Sequence, residues 1–380
     1  MKGMIRQRGS TYTAIWHLTD PSTGKRRQHS KGGFRTRGDA QKHLNVVLGK
    51  VVEGSYRKDT PLTVRTLLEK HWLPAMESRE LRAATIAQYR RVVDAWIVPQ
   101  IGAIRVAALT PAHVSEMVEK LRTSESSRGR QGLSARSRQL AVGVLKSATA
   151  WATRNGMFGR DPLLGVDRPA AKSKAMTAWT TDEARAFLAS VAEDREAVIW
   201  ALALTRGLRR GELAGLRWDA IDLDGGTLEV RRTRVVVDGK PVDSEPKTAA
   251  GFRSVPLDDS LVAMLRSHRV QQATEKMGAG PAYDGDLTYV AVDERGHPYH
   301  PEHFSTRFES LAKRAELRVV RLHDLRHTAA SLMLGAGVPV KVVSEMLGHS
   351  SPTITLSIYQ HTIPSMARDA GAALSASLLS

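Results

Sequence analysis

The sequence predicts a multidomain protein that is mainly α-helical and contains small β-sheets. Its 380 residues exceed the size of one typical domain, so two or three domains are expected. Apolar residues recur at helical spacing along most of the chain and alternate, as in a strand, over only a few short stretches. The hydrophobic fraction of 42% is ordinary for a globular protein and is sufficient for packed cores.

The charge balance favours a polyanionic partner. The chain has 56 Lys and Arg against 39 Asp and Glu, a formal net charge of +17. A surplus of this size points to nucleic acid first and an anionic membrane second. The plainer alternative is a ribosome-associated or merely soluble basic protein. Cysteine is absent, which excludes disulfides, thiolate zinc sites and a cysteine nucleophile.

Neither a secretion signal nor a membrane span is expected. The first six residues are not followed by the apolar stretch of a signal peptide. The longest apolar run, residues 197–204, is far shorter than the ~20 residues that cross a bilayer. We therefore expect a cytoplasmic protein without a membrane partner.

The most basic part of the chain is a predicted first domain, residues 1–57. Residues 1–60 hold 13 Lys and Arg against 4 Asp and Glu, which is about half of the net charge. Alternating apolar side chains over residues 11–18 predict a strand, and residues 25–29 predict a second, very basic strand after a turn. An apolar stripe over residues 39–52 predicts a helix. A small sheet backed by one helix can lie in a DNA major groove, whereas the alternative is a solvated basic face.

Two polar linkers, residues 53–62 and 169–178, separate this domain from two others. Four apolar stripes at helical spacing predict an all-helical second domain, residues 62–168, with its Trp and Met residues in the core. The third domain, residues 176–364, opens with a predicted capping box at Thr180 and Glu183. It reads as mainly helical, with a hairpin at Asp238-Gly239 between short strands.

The third domain contains clusters of basic residues within otherwise helical sequence. Arg209 lies in the stretch TRGLRRGEL between two predicted helices, where several cations at a helix start suggest an anion outside the protein. Glu212 can hold the Arg209 guanidinium in place, although an ordinary surface ion pair explains this motif equally well. Further along, His323 and Arg326 share one face of a helix, because they are three residues apart.

These clusters occur in the order found in tyrosine recombinases. GLRRGEL at 207–213, HDLRH at 323–327, LGH at 347–349 and Tyr359-Gln-His resemble that family's motifs. Each is weak alone, but together they are specific. The basic strands followed by GFRTR at 33–37 resemble the arm-type DNA-binding domain of phage integrases, and residues 62–168 resemble the family's core-binding domain. The tail, residues 365–380, is matched least securely.

The resemblance implies a role for each matching residue. Arg209 and Arg326 would bind the scissile phosphate, Tyr359 would be the nucleophile, and His323 and His349 would contact the phosphate or carry protons. Lys247, before Thr248, matches the family's hairpin lysine and would be the general acid, with Lys240 as a rival. Glu212 would support the first arginine. The arm-domain contacts to DNA would come from five residues: Lys25, Arg26, Arg27, Arg35 and Arg37.

These residue types suit the chemistry. A phosphodiester under in-line attack gathers negative charge on its non-bridging oxygens, which two guanidiniums can clamp. A tyrosine has an ordinary pKa of about 10, so that only roughly one molecule in a thousand is phenolate at pH 7. The positive cluster lowers that cost, and a histidine can accept the proton. No step requires a metal or another cofactor, and the phosphotyrosine link conserves the bond energy for ligation without ATP.

Two other readings are possible. His323 and His327 stand four apart, as in the HExxH motif of metalloproteases, but Arg326 lies between them and would repel a metal ion. A non-catalytic DNA-binding regulator derived from this fold fits the charge and the domain layout equally well. Only the complete set of six catalytic-type residues favours an enzyme.

The resemblance also implies partners. Four protomers would assemble on two duplex DNA sites, with core and arm sequences, and would pass through a Holliday junction. The arm-type domain favours an integrase of a phage or integrative element. Such an enzyme would need a host DNA-bending protein and, for excision, a directionality factor.

Overall fold

The computed structural model describes residues 3–19, 26–52, 62–124, 132–158, 160–170, 177–285, 288–351, 353, 355–356 and 378. The chain divides into two compact units, Met1–Lys172 and Ser173–Ser380. Lys25, Tyr359 and the tail 365–380, apart from position 378, lie outside the described residues. Within the described part of the chain, no helix is long and apolar enough to cross a membrane.

The first unit begins with an antiparallel three-stranded sheet, Met4–Arg8, Thr11–Thr19 and Arg26–Phe34, followed by the helix Arg37–Val52. The strand predicted over residues 11–18 and the helix predicted over residues 39–52 are confirmed, and the basic strand predicted over residues 25–29 is observed from Arg26 onwards. The sequence pattern does not indicate the strand Met4–Arg8, because only its first two residues are apolar. This strand forms through backbone pairing, since its five residues match Thr11 to Ile15 in register.

One face of this sheet is closed by the helix. Ala14 and Trp16 point to the same side of their strand and are buried against Leu44 and Val47. Trp16 also stacks on His29 of the next strand, with ring centroids 6.2 Å apart. Truncating a buried tryptophan to alanine costs about 3–5 kcal/mol, so Trp16 is the residue on which this small core depends most.

The rest of the first unit is helical, as predicted. Two long helical runs span residues 64–77 and 83–101, and the helices Pro111–Thr123 and Ala135–Arg154 follow. Side chains from all four form one core, among them Trp72, Ile97, Met117 and Leu145. The assignment of the Trp72 and Met117 side chains to the core is therefore confirmed.

Each long run contains a wider π turn two residues before a proline. The turns are Leu67–Trp72 and Val93–Ile97, and the prolines are Pro74 and Pro99. Proline lacks the amide proton that an α-helix needs, and its ring clashes with the carbonyl four residues earlier. The wider turn relieves that clash and lets the helix continue.

The second unit combines helices with two small sheets. The first sheet has three antiparallel strands, Ile221–Asp222, Thr227–Val230 and Arg253–Pro256. The second is the hairpin Thr233–Val237 and Lys240–Ser244, whose turn residues both have positive φ: Asp238 at 49° and Gly239 at 79°. The predicted Asp-Gly hairpin is confirmed, because Gly readily adopts this backbone and Asp tolerates it.

The helices of this unit enclose an aromatic core. They are Thr181–Ser190, Ala197–Thr205, Arg210–Ala214, Asp259–Ala279, Pro301–Arg314, Leu322–Gly335 and Val340–Leu347. Every residue from Val198 to Leu204 is buried, which explains the long apolar run as a core helix. The predicted capping box is present: Thr180 Oγ1 accepts from the amide of Glu183, and Glu183 accepts from the amide of Thr180.

Candidate active site

Arg209 lies where the helix Ala197–Thr205 ends and the helix Arg210–Ala214 begins. Gly207 makes the turn with φ of 62°, and a Cβ there would lie 2.4 Å from Leu347 Cδ2. A left-handed backbone and this close approach both require glycine. The turn places Arg209 at the N-cap position, in extended conformation, with its side chain directed into the site.

A buried carboxylate holds Arg209. Glu212, 3% exposed, accepts from the Arg209 amide at 2.9 Å and from Arg209 Nη1 at 2.7 Å. It also accepts two bonds from Arg253, at 2.8 and 3.1 Å. Burial by itself raises the pKa of Glu212, but the hydrogen bonds and charges of Arg253 and Arg209 outweigh it and hold that pKa below its usual value. Glu212 is therefore ionised and anchors the guanidiniums of Arg209 and Arg253. The sequence predicts this supporting position for Glu212.

Three arginines share the end of the helix Val340–Leu347. Arg253 Nε donates to Met346 O at 2.7 Å, Arg209 Nη2 donates to Gly348 O at 2.9 Å, and Arg326 donates to Leu347 O. The last carbonyls of a helix have no partner within it, and its C-terminus attracts cations. The arginines therefore satisfy three consecutive carbonyls and fix the loop that carries His349.

Gly348 makes this arrangement possible. It caps the helix in the left-handed conformation, with φ of 65° and ψ of 50°. A Cβ at this position would lie 2.6 Å from Ala250 O. Glycine is therefore the residue that lets the chain turn here beside the segment leading to Arg253.

Arg326 is the most buried of the predicted phosphate ligands, 3% exposed, on the helix Leu322–Gly335. Its Nη1 donates to Gly207 O at 2.8 Å, which ties the two motifs together. Burial, followed by repulsion from Arg209, lowers the pKa of Arg326 to about 9. With a pKa of about 9, Arg326 is still charged at pH 7, so an anion beside it would relieve its repulsion from Arg209.

The histidines of the site favour the neutral form. Burial, and then the charges of Arg326 and Arg209, lower the pKa of His349 to about 4. Burial and Arg326 also lower the pKa of His323. His349 Nδ1 lies 2.8 Å from Thr355 Oγ1, which orients the ring. At neutral pH both imidazoles are therefore neutral, and each ring has one nitrogen without a proton.

The position of the two candidate lysines differs. Lys247 is exposed in the segment 245–252, between the hairpin and the strand Arg253–Pro256. This segment borders the arginine group, because Ala250 O lies beside Gly348 and Arg253 follows the segment directly. Lys240 begins a hairpin strand directly after the turn. The segment 245–252 therefore favours Lys247 over its rival.

The structure brings together Arg209, Glu212, Arg326 and the loop of His349, whereas Tyr359 lies outside the described residues. Arg253 is a member of the group that its sequence context does not reveal. It lies 41 positions after Glu212, in a stretch whose pattern indicates only a strand.

The two histidines that resemble a metalloprotease motif, His323 and His327, lie on the helix Leu322–Gly335. Among the residues that the structure describes, no group of three or more His, Asp or Glu side chains could hold a metal ion. The rings of His323 and His327 meet edge to face, with centroids 5.2 Å apart. His327 Nδ1 is buried and has no hydrogen-bond partner among the described residues.

The predicted arm contacts lie in the first unit. Arg35 and Arg37 are exposed where the sheet meets the helix Arg37–Val52. Arg26 and Arg27 belong to the strand Arg26–Phe34. On the same sheet, the unexpected first strand presents exposed Arg6 and Arg8.

Family models match most of the chain. A model described as the phage integrase family matches residues 178–365, one described as an arm DNA-binding domain matches residues 4–51, and one described as a phage integrase N-terminal SAM-like domain matches residues 63–122.

Curated relatives agree with these matches. A tyrosine recombinase XerC from Xanthomonas campestris is 31% identical over 292 residues, covering 74% of this chain and 80% of that protein. An integrase from Saccharopolyspora erythraea is 25% identical over 368 residues and 82% of each chain. A XerC-like tyrosine recombinase from Caldanaerobacter subterraneus is 32% identical over 251 residues, and the chain spans only 64% of its length.

Solved structures share the fold. The Tn1549 transposon integrase in complex with transposon right-end DNA superposes with a TM-score of 0.64 at 20% identity, covering 84% of this chain and all of the other. A lambda integrase tetramer bound to a Holliday junction superposes with a TM-score of 0.57 at 20% identity, covering 92% and 96%. The predicted mainly helical fold with small sheets is confirmed.

Proposed function

Because the chain belongs to the phage integrase family of tyrosine recombinases, we propose that it cleaves and rejoins DNA at specific sites to integrate or excise a phage or mobile element. The observation that carries this proposal is the pair Arg209 and Arg326. Both are hydrogen-bonded to protein groups, and among the described residues the acidic partner in this group is Glu212, which is buried beneath Arg209 and Arg253. Such a pair suits one phosphodiester.

The reaction assigns one task to each residue. The Tyr359 oxygen attacks phosphorus as the bond from phosphorus to the 5′ oxygen breaks, which leaves a 3′-phosphotyrosyl link. His323, neutral at pH 7, takes the phenol proton, and Lys247 gives a proton to the leaving oxygen. His349 lies on the loop that the three arginines fix. From there it donates a hydrogen bond to the phosphate or exchanges protons with it. Religation reverses these steps, so neither metal nor ATP is consumed.

The domain layout follows from the same proposal. Residues 1–57 would bind distal arm sites through Lys25, Arg26, Arg27, Arg35 and Arg37, and residues 62–168 would bind the core site. Residues 176–364 would carry catalysis, and residues 365–380 would form a tail. The family models for the arm and SAM-like domains support the first two assignments.

The assembly would be a homotetramer on two duplex DNA sites that passes through a Holliday junction. The lambda integrase tetramer on such a junction, which shares the fold, supports this. A host DNA-bending protein and, for excision, a directionality factor would complete the complex. The reaction would take place in the cytoplasm of a bacterial host, at the nucleoid.

A duplex with a nick beside the scissile phosphate tests the proposal, because loss of the short strand traps the covalent intermediate. The wild-type chain should form an adduct that resists SDS, and EDTA should not prevent it. Tyr359→Phe should form no adduct while its affinity for DNA stays within about threefold, since one hydroxyl supplies little electrostatic affinity.

Two results would contradict the proposal. An adduct with Tyr359→Phe would place the nucleophile elsewhere. Binding without any adduct in the wild type, on the correct attachment site, would leave a DNA-binding regulator.

A further inference from the structure

The hairpin that precedes Lys247 is fastened at its base, at the end opposite its turn. Its two strands pair so that Arg234 lies across from Asp243. Arg234 Nη1 donates to Asp243 Oδ1 at 2.9 Å, and the second carboxylate oxygen of Asp243 accepts from the hydroxyl of Tyr289. Asp243 stands four residues before Lys247 in the sequence, so the fastening is close in the chain to the proposed general acid.

Tyr289 belongs to the body of the second unit and not to the hairpin. Its backbone forms an isolated antiparallel bridge with Arg217. Backbone hydrogen bonds of 2.9 and 3.0 Å on either side of this bridge fix the same stretch. Arg217 comes three residues after the helix Arg210–Ala214, whose N-cap is Arg209. Tyr289 therefore connects the hairpin to the part of the chain that carries Arg209.

Two guanidiniums lie over the ring of Tyr289. The Cζ atoms of Arg217 and Arg234 are each 5.4 Å from the ring centre, which is within the range of a cation–π contact. Burial, and then the hydrogen bond to Asp243, raise the pKa of Tyr289, so its hydroxyl is a donor at neutral pH. The ring contacts one strand of the hairpin through Arg234, and the hydroxyl contacts the other through Asp243.

The backbone of the hairpin also lies directly on the helix that follows Arg209. A Cβ added at Gly215 would be 2.8 Å from Arg234 N, and one added at Gly211 would be 3.0 Å from Arg234 O. These two glycines, four residues apart, let the strand approach the helix closely. The base of the hairpin is thus held against the Arg209 helix by its backbone and by Tyr289.

The segment 245–252 carries this placement on to Lys247. Pro246 is buried, and a Cβ added at Gly251 would lie 2.6 Å from Pro246 Cβ, so the segment folds back on itself directly before Lys247. The Lys247 side chain is exposed. Its location therefore depends on the backbone that carries it, and that backbone starts from the base of the hairpin.

We propose that Tyr289 is a positioning residue, which fixes the base of the hairpin through Asp243 and thereby keeps Lys247 within reach of the leaving oxygen. The inference rests on the proposed function, in which the ammonium of Lys247 gives its proton to the 5′ oxygen as the bond from phosphorus to that oxygen breaks. Without the Tyr289 hydroxyl, the hairpin visits positions from which Lys247 cannot donate. The cleavage rate then falls in proportion to the competent fraction.

A change of the leaving atom tests this role. In one nicked duplex the scissile 5′ oxygen is replaced by sulfur, and the leaving thiolate needs no proton, because thiols have pKa values of about 8.5. At saturating DNA and in a single turnover, Tyr289→Phe should cleave the oxygen substrate about three- to tenfold more slowly than the wild type, the effect of one hydrogen bond. It should cleave the sulfur substrate within about twofold of the wild type. Equal slowing on both substrates, or no slowing on either, overturns the positioning role.

The Lys247→Ala variant supplies the reference. It should lose about 100-fold or more on the oxygen substrate and recover most of that loss on the sulfur substrate. Adding Tyr289→Phe to Lys247→Ala should slow cleavage no further, because the hydroxyl acts only through the lysine. A further loss in the double variant overturns the inference.

Tyr299→Phe is the matched control. The Tyr299 hydroxyl accepts from Arg195 Nη1 at 3.3 Å, and among the described residues it makes no hydrogen bond with the hairpin. This variant also removes one tyrosine hydroxyl from the second unit, and it should cleave both substrates at the wild-type rate. A loss confined to the oxygen substrate in Tyr299→Phe as well would overturn the assignment to Tyr289.

Hydrogen exchange separates this inference from the proposed function. In the DNA-free chain, amides of residues 240–248 should exchange faster in Tyr289→Phe than in the wild type, while those of the helix Ala197–Thr205 should be unchanged. Unchanged exchange in the hairpin overturns the positioning role. If the wild type cleaves neither substrate, the proposed function fails, and the exchange data still decide whether Tyr289 fixes the hairpin.

Discussion

Two groups of arginines in this molecule are built in opposite ways. Arg209, Arg253 and Arg326 are fixed by Glu212 and by consecutive backbone carbonyls. A cleft in the first unit is lined by three other arginines, Arg91, Arg136 and Arg168. These cleft arginines are exposed and form no ion pair among the described residues. The same residue type is thus held by a buried carboxylate and backbone carbonyls in one region, and in the other it is exposed and has no ion pair among the described residues.

The difference fits the proposed role of the fixed group in catalysis. Fixed guanidiniums keep their geometry at the moment when charge develops on a phosphate, so they accelerate a reaction. Free guanidiniums adjust to a polyanion, which gives affinity that depends on salt. Immobilisation has an electrostatic cost, seen in the pKa of Arg326, which burial and Arg209 lower to about 9.

The largest effect is expected for Arg326→Lys. A lysine cannot donate to Gly207 O and Leu347 O and also grip a phosphate in a fixed plane. Single-turnover cleavage of the nicked duplex should slow by about 100- to 1,000-fold. Affinity for DNA should change by less than about threefold, because the charge is retained.

The matched control is Arg136→Lys in the cleft, which should cleave at the wild-type rate when DNA is saturating. Cleavage by Arg326→Lys within tenfold of the wild type would show that rigid placement is unnecessary. Near-ultraviolet circular dichroism establishes that each variant keeps its tertiary packing.

A smaller effect is expected for Glu212→Gln. The neutral amide leaves Arg253, whose side chain is 6% exposed, without a balancing charge. Breaking a buried ion pair in this way costs about 3 kcal/mol of the free energy of unfolding, and misplacement of Arg209 should slow cleavage as well. Urea denaturation measures the first effect and single-turnover cleavage the second.

Glu302→Gln provides the comparison. Glu302 is 62% exposed and pairs with Arg210 at 3.1 Å, so its loss should cost less than about 0.5 kcal/mol. Equal losses in the two variants would contradict the idea that Glu212 is an anchor.

Much of this arrangement can be predicted from sequence, and the rest depends on contacts between distant positions. Arg209, Glu212 and His323 stand in short motifs at the starts of helices, so local patterns reveal them. Arg253 acquires its role only by folding, because its partners are Glu212 and the carbonyl of Met346. The strand Met4–Arg8 likewise depends on pairing with a neighbouring strand and not on its own composition.

The free energy of unfolding should depend on pH because His349 is held in the buried site. His349 has a folded pKa of about 4, below its ordinary value near 6.5, because of burial and then the charges of Arg326 and Arg209. Between these values the unfolded chain binds more protons, so the free energy of unfolding falls as the pH falls from 7 to 5. With allowance for solvent screening, His349 contributes about 1 kcal/mol to that fall.

Urea denaturation of the DNA-free chain at pH 7 and pH 5 checks this. His349→Gln should lose less stability on acidification than the wild type, by about 1 kcal/mol. Equal falls in the two proteins would show that the protonation of His349 does not contribute to the pH dependence of stability.

The smallest effect on the free energy of unfolding is expected for Gly143→Ala, which compares two positions of the backbone. An alanine methyl there would meet the Arg168 guanidinium at 3.6 to 3.8 Å, which is ordinary contact within a regular helix. Since glycine is disfavoured inside helices, Gly143→Ala should raise the free energy of unfolding by up to about 1 kcal/mol.

Gly207→Ala should do the reverse, because its φ of 62° and the 2.4 Å approach to Leu347 leave no room for a methyl group. Urea denaturation of both variants measures the two effects. For binding to duplex DNA, the slope of log affinity against log salt should be the same in Gly143→Ala as in the wild type, since Arg168 keeps its place above the new methyl. A loss of stability in Gly143→Ala would mean that the segment of Arg168 packs against the helix as tightly as the segments around Gly207 and Leu347 pack against each other. The cleft would then be a rigid site like the arginine group around Glu212, and not an adaptable one.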